Sequence, residues 1–311
     1  MDVKRRDPMD IVCATDGNYL PHCVAMLQSL WEHNKRRDLR VYLITDNADS
    51  KDLGVALTHL HRLLPSISFL QANPEPLQGF PVNGHATVAT YFRLLLPVLL
   101  PGGVEKVIFI DSDTIITDNL DDLWKTPLNG KALAAVPEHR LSCKDHGYQH
   151  GGYFNAGIMF VDLQRWRGSG LLERGRAFAS QYPERLRHWD QDVLNHVFAD
   201  DWIALGDRWN ACPHLFGLTP GYELDDNNLS PAEQQAIKSP AIVHFAGPGP
   251  VKPWNARCNH PLKQSYLDAK AKTPWAATAL LDTPPPPWKQ AWQQTMFKAK
   301  CMIRRQLVRN P

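Results

Sequence analysis

Val107-Ile108-Phe109-Ile110-Asp111-Ser112-Asp113 sets four apolar residues, three of them β-branched, directly before two carboxylates one residue apart. A short continuous apolar run of this kind predicts a strand buried on both faces, as in a parallel sheet covered by helices. The chain before it has the matching pattern. Apolar runs at 9–14, 39–44 and 67–70 predict strands. Between them, Leu20, Val24, Leu27, Leu30 and Trp31, and then Leu53, Ala56, Leu57, Leu60 and Leu64, recur at helical spacing. Downstream, further strands are expected at 132–136, 157–161 and 242–245, with helices near 171–182 and 190–198. The β-α alternation predicts an α/β fold with a mixed, mainly parallel sheet, whose ligands sit beyond the carboxyl ends of the strands.

Composition agrees with one large domain. Of 311 residues, 43% are hydrophobic and 21% charged, enough for a substantial core. The formal net charge of +2 gives no basic field over the whole surface, which argues against a nucleic-acid partner. Six cysteines (Cys13, Cys23, Cys143, Cys212, Cys258, Cys301) are scattered without a paired framework, as expected for reduced thiols in a cytoplasmic protein. Neither a secretion signal nor a membrane span is expected. Prolines at 274 and 284–287 predict a linker over 274–287 that separates a domain at 1–273 from a tail at 288–311. That tail carries Lys289, Lys298, Lys300, Arg304, Arg305 and Arg309 and no acid.

Two aspartates at a strand end repel one another unless a cation lies between them, and a divalent ion is the obvious partner. Asp111 as a mere turn cap, with Asp113 solvated, is the plainer alternative. Two metal chemistries fit the pattern. In haloacid-dehalogenase-like hydrolases the first aspartate is a nucleophile, and Asp200-Asp201 could stand for the later acidic pair. In the other, both aspartates support a metal that neutralises a nucleotide-sugar diphosphate. The second strand-end cluster, Ile242-Val243-His244-Phe245 followed by Gly247-Pro248-Gly249-Pro250 and Lys252-Pro253-Trp254, favours the latter. Imidazole suits a transition metal, glycines admit a ligand close to the backbone, and lysine is a compact partner for phosphate.

Taken in order, these pieces resemble glycosyltransferase family 8, retaining nucleotide-sugar transferases that include bacterial lipooligosaccharide galactosyl- and glucosyltransferases. The matching pieces begin with Ile11 to Tyr19, Tyr91-Phe92-Arg93 and Phe109 to Asp113. They continue with Tyr153-Phe154-Asn155-Ala156-Gly157, Asp190-Gln191-Asp192-Val193-Leu194-Asn195, and His244 to Gly247 with Lys252-Pro253-Trp254. The resemblance implies a GT-A-type fold and assigns roles residue by residue. Thr15, Asp16 and Asn18 hold uridine, Asp111, Asp113 and His244 hold Mn²⁺, or Mg²⁺ in its place, and Ser112 between the two acids belongs with the donor-binding residues. Arg93, Asn155, Ala156, Gly157 and Asp190 line the sugar pocket, Gln191 lies below the anomeric carbon, and Gly247 and Lys252 contact phosphate. The family commonly places its lysine six residues after the histidine. Here the separation is eight, so either the loop bulges or Gly249 takes the place of Gly247.

The expected activity is transfer of galactose or glucose from a UDP-hexose donor to a saccharide or glycolipid acceptor, such as the lipopolysaccharide core. A metal-dependent phosphohydrolase and a non-catalytic nucleotide-sugar binding protein are the alternatives. In the tail, Trp288, Trp292, Met296, Ala299, Ile303 and Leu307 share one 100° sector of a helix, and the six cations occupy the rest. That is the profile of a helix lying in a membrane interface, and it predicts peripheral contact with the anionic inner face of the plasma membrane.

Overall fold

A computed structural model of the protein describes residues 7–82, 87–138, 152–219 and 229–282. Among these, a seven-stranded sheet runs in the order β3-β2-β1-β4-β7-β6-β8. Its strands are β1 (Met9–Ala14), β2 (Leu39–Thr45), β3 (Ser66–Gln71), β4 (Lys106–Ile110), β6 (Leu133–Pro137), β7 (Phe154–Asp162) and β8 (Trp202–Ala204). A separate antiparallel pair joins β5 (Thr114–Ile116) to β9 (Ile242–His244).

Strands β3, β2, β1 and β4 are parallel, β7 runs antiparallel between β4 and β6, and β8 is parallel to β6. Four of the six pairings are therefore parallel, giving the mixed, mainly parallel α/β sheet expected. Strand β7 is buried over eight of its nine residues, and β4 over all but Lys106, so these two form the spine between the layers. Helices Leu20–His33 and Lys51–Leu63 bury Leu27, Leu30, Leu53 and Leu60 against one face. Helices Leu171–Gln181 and Asp190–Val197 bury Leu171, Phe178, Val193 and Leu194 against the other. The four described cysteines are free and buried.

Two three-residue strands, β5 and β8, were not anticipated, because neither is long enough to show a period. Helices Pro231–Lys238 and Lys263–Lys270 were missed too. Residues 274–282, the first part of the expected linker, are fastened to the body. Leu281 exchanges backbone bonds with the 254–256 segment, Asn255 Nδ2 donates to Asp282 Oδ2 at 2.8 Å, and Lys270 Nζ donates to the carbonyl of Thr278 at 2.7 Å. The packed body thus continues to Asp282 instead of ending at 273. The run 284–287 and the basic tail lie outside the described residues. No described helix is long and apolar enough to cross a membrane.

Candidate active site

The carboxyl ends of β1 and β4 open into a cavity of about 790 Å³. All fifteen residues singled out above line it: Thr15, Asp16, Asn18, Arg93, Asp111, Ser112, Asp113, Asn155, Ala156, Gly157, Asp190, Gln191, His244, Gly247 and Lys252. Asp200-Asp201 do not. They precede β8 at the opposite end of the sheet, where Asp201 pairs with Arg165 at 2.8 Å, so the late acidic pair of a hydrolase is absent from this site.

Register brings the acidic pair and the histidine together. Leaving β4, the chain turns at Asp111, whose N–H donates to the Gly157 carbonyl of β7 at 2.9 Å, and Ser112 Oγ donates to the Ala14 carbonyl at the end of β1. It then enters β5, where Thr114 lies opposite His244 of β9. Nε2 of His244 comes to 3.3 Å from Asp113 Oδ1 and 4.0 Å from Asp111 Oδ2.

The other oxygen of each carboxylate is occupied by a cationic side chain. Arg93 Nη2 donates to Asp111 Oδ1 at 2.7 Å, and Lys252 Nζ is bonded to Asp113 Oδ2. Two carboxylate oxygens and one imidazole nitrogen are thereby left converging, within 4.8 Å of one another. That donor set of hard oxygens with one imidazole suits Mn²⁺ or a similar divalent ion, and the residues fit such a group.

Electrostatics at the cluster are strongly coupled. Burial alone would drive His244 toward its neutral form, but the Asp113 carboxylate outweighs it and holds the imidazole at about 10. Burial would likewise raise Asp113, yet Lys252 and His244 carry it well below the usual carboxylate range. Asp111 is pushed up, by burial first and by the neighbouring Asp113 charge, against the pull of Arg93. The protein therefore concentrates positive charge here to offset two acids, which is what an ion would otherwise do.

Arg93 also ties the acidic cluster to Asp190 across the cavity wall. It lies on a 3₁₀ segment, Val88–Leu95, is buried over Phe109, and pairs through Nε with Asp190 Oδ2 at 2.7 Å. Asp190 starts helix Asp190–Val197, and burial, only partly offset by Arg93, raises its carboxyl to about 7. The next residue, Gln191, accepts the Ala156 N–H through Oε1 at 3.0 Å. Asp192 and Asn195 from the same stretch serve the scaffold. Asp192 accepts from Tyr153 Oη, and Asn195 bonds both backbone groups of Phe154. Trp189, just ahead, is a non-glycine residue at φ 46° on the cavity wall, a strained conformation of the kind stored at functional sites.

After β9, Gly247 adopts φ 114° and a 3₁₀ turn at Gly249–Val251 follows. Lys252 returns into the cavity, held by Asp113 and by the Phe245 carbonyl at 3.0 Å. Tyr19 and Trp254 meet edge to face at 5.3 Å on the same wall, with Lys252 Nζ within 6 Å of both rings. Both aromatics stand inside the quoted sequence pieces, but no role was assigned to either. Leu281 on the rim had no sequence signal at all, because it arrives by folding back from beyond helix Lys263–Lys270.

Residues 10–258 match glycosyl transferase family 8. The general stress protein A of Bacillus subtilis (strain 168) is 30% identical over 284 residues, covering 88% of this chain and 96% of that protein. The lipopolysaccharide 1,3-galactosyltransferase of Salmonella typhimurium is 25% identical over 287 residues, covering 89% and 82%. The crystal structure of the galactosyltransferase LgtC in complex with donor and acceptor sugar analogs has a TM-score of 0.75 at 25% identity, over 90% of this chain and 99% of that one. The match takes in every strand-end residue of the cavity, and the sheet is the GT-A arrangement shared with LgtC. The chain belongs to glycosyltransferase family 8, enzymes that pass a sugar from a nucleotide-sugar donor to a saccharide acceptor.

Proposed function

We propose that the protein transfers a hexose, galactose or glucose, from a UDP-hexose to a saccharide acceptor with retention of the anomeric configuration. The observation that carries this reading is the convergence of Asp111 Oδ2, Asp113 Oδ1 and His244 Nε2 in one cavity with the Thr15–Asn18 turn and Lys252. When bound there, Mn²⁺ supplies Lewis-acid neutralisation of the diphosphate leaving group. Thr15, Asp16 and Asn18 bind the uridine from the end of β1. Lys252 and the Gly247 backbone receive the phosphate, with the lysine exchanging part of its contact with Asp113 for the substrate's charge.

On the sugar side, Arg93 holds Asp190 beneath the donor ring, and Ala156 and Gly157 form the wall beside it. A double displacement would need a nucleophile under the anomeric carbon. Gln191 is an amide, and its Oε1 is already committed to the Ala156 N–H; Asp190 is bound by a guanidinium and carries a raised pKa. These occupations favour a same-face route in which departing phosphate takes the acceptor proton while Asp190 stabilises the developing positive charge.

The acceptor we infer is a glycolipid of the lipopolysaccharide or lipooligosaccharide core, met at the cytoplasmic face of the membrane. Two observations support this. The named relative above acts on lipopolysaccharide, and the sequence 288–311 carries six basic residues, no acid and two tryptophans, a composition suited to an anionic membrane surface. The test is a screen of UDP-sugars for Mn²⁺-dependent hydrolysis, followed by NMR of any product formed on a core oligosaccharide. Release of UDP without transfer to any acceptor would count against the reading.

A further inference from the structure

Asn210 lies behind the acidic cluster, 1% exposed, and touches His244 from the side away from the cavity. Its Oδ1 accepts a bond from His244 Nδ1 at 2.8 Å, and its Nδ2 donates to Asn155 Oδ1 at 2.8 Å. Backbone bonds fix the spacing. The N–H of Ala211 donates to the Ile242 carbonyl at 2.9 Å, and the N–H of His244 donates to the Ala211 carbonyl at 3.1 Å, clamping the residue after Asn210 onto β9.

The direction of every bond in this chain follows from its far end. Asn155 Oδ1 must be an oxygen because it receives the Gly157 N–H at 2.9 Å, and Asn155 Nδ2 must be the amide nitrogen because it faces Glu138 Oε2 at 2.9 Å. Facing that oxygen, Asn210 must present its own NH₂, which leaves its oxygen for His244. An oxygen there accepts only, so Nδ1 keeps its proton in either charge state and, in the neutral imidazole that binds a metal, Nε2 is the free nitrogen turned to Asp111 and Asp113. Gly157 completes the seat: a Cβ at this position would lie 2.3 Å from His244 Cε1 and 2.7 Å from Nδ1, so only glycine leaves the ring its place.

We infer that Asn210 is a positioning residue for the divalent-ion site: through Glu138, Asn155 and Asn210 the fold holds His244 with its proton on Nδ1 and Nε2 aimed at the ion. The inference rests on the metal reading above. It also gives Asn155 and Gly157 a part in holding the histidine, beyond lining the sugar pocket.

The test is binding of Mn²⁺ to the full-length protein without donor sugar, followed by electron paramagnetic resonance, with thermal melting in parallel. Asn210→Leu keeps similar bulk and removes the acceptor, and Mn²⁺ should bind at least about tenfold more weakly. Asn210→Asp keeps an oxygen on His244 while losing the bond to Asn155, and should stay within about threefold of the parent. Cys212→Ala removes the other neighbour of Nδ1, a sulfur at 3.8 Å, and should also stay within about threefold. Equal Mn²⁺ binding by Asn210→Leu and the parent overturns the inference, as does an equal loss in Asn210→Asp and Asn210→Leu, which would mark simple packing. If Asn210→Leu does not fold, Asn210→Asp decides alone: retained affinity supports the role and a tenfold loss overturns it. A parent protein that binds no Mn²⁺ removes the metal reading and this inference together, whereas a parent that binds and a leucine variant that binds equally removes the inference alone.

Discussion

Nε2 of His244 stands 3.3 Å from Oδ1 of Asp113, although one residue closes β9 and the other follows β4. Asp113 thus balances two cations at once, since Lys252 holds its second oxygen, whereas Asp111 is balanced mainly by Arg93. Removing the Asp113 charge leaves His244 and Lys252 facing each other with one carboxylate fewer between them. Asp111→Asn and Asp113→Asn should each lower transfer on the order of 10³-fold or more, and EDTA should abolish it. In melting experiments the Asp113 variant should be the less stable of the two. Full activity in EDTA, or in both variants, would sink the metal assignment.

Asp190 sets a pH dependence whose sign follows from its raised pKa of about 7. Between about 4 and 7 the folded protein keeps a proton that the unfolded chain has lost, so stability falls as pH rises through that window and levels off above it. His244 acts in the same direction at higher pH: raised to about 10, it contributes stability below about 6.5 that is lost as pH climbs through 10. Metal-free protein should therefore denature at progressively lower urea from pH 5 to 9. Asp190→Asn should flatten the lower part of that profile only; an unchanged slope between pH 4 and 7 would refute the assignment.

Gly157→Ala tests the seat of the imidazole directly. A methyl group at 2.3 Å from Cε1 has nowhere to go, because Gly157 belongs to the buried strand β7 and His244 to β9. Overpacking of this kind costs about 1–3 kcal/mol, and here the ring is the part that must yield. A stability loss in that range with Mn²⁺ affinity down by about tenfold or more is expected. Unchanged metal binding would show that the ring tolerates displacement.

Much of this site was legible in sequence because its chemistry sits where buried strands end, and a run such as Val107 to Ile110 announces both the strand and its direction. Asp111 with Asp113, and separately His244, could be read at their strand ends for that reason, and the family resemblance joined them as one ligand set. The support behind them could not. Asn210 stands in Trp209-Asn210-Ala211-Cys212, a stretch with no periodicity, and meets His244 only because β9 closes onto β5 and Ala211. The same holds for Leu281 and for residues 274–282, where Pro274 with the run at 284–287 suggested a spacer but where the backbone bonds to Trp254 and Ala256 exist only in the folded chain. Local signals report strands and turns, while long-range register decides which polar groups share a hydrogen bond.

The anomeric outcome separates the roles of Asp190 and Gln191. The product should be the α-glycoside from an α-linked donor, and Asp190→Asn should lower kcat on the order of 10²-fold or more, because a buried carboxylate opposite developing positive charge acts mainly in the transition state. Gln191→Ala loses a bond to the Ala156 N–H and should cost less. A β-linked product by NMR would reject retention, and equal mild effects of the two substitutions would reject only the ranking.

The tail carries the last prediction, on whether a membrane surface holds the enzyme. Residues 288–311 hold six cations and two tryptophans and no acid, following a Pro-rich run at 284–287 in the sequence. Each cation near an anionic leaflet contributes about 1 kcal/mol, so six can hold the enzyme there reversibly and in a salt-dependent way. The tail could instead pack its apolar stripe on the body, whose 28 basic residues against 32 acidic ones would also attract it. Deleting 288–311 discriminates between the two. Loss of salt-sensitive binding to anionic vesicles, with UDP-sugar hydrolysis largely retained, is the outcome expected of a membrane anchor. Undiminished vesicle binding, or a truncated protein that no longer folds, would assign the tail to the body and leave the acceptor to be sought in solution.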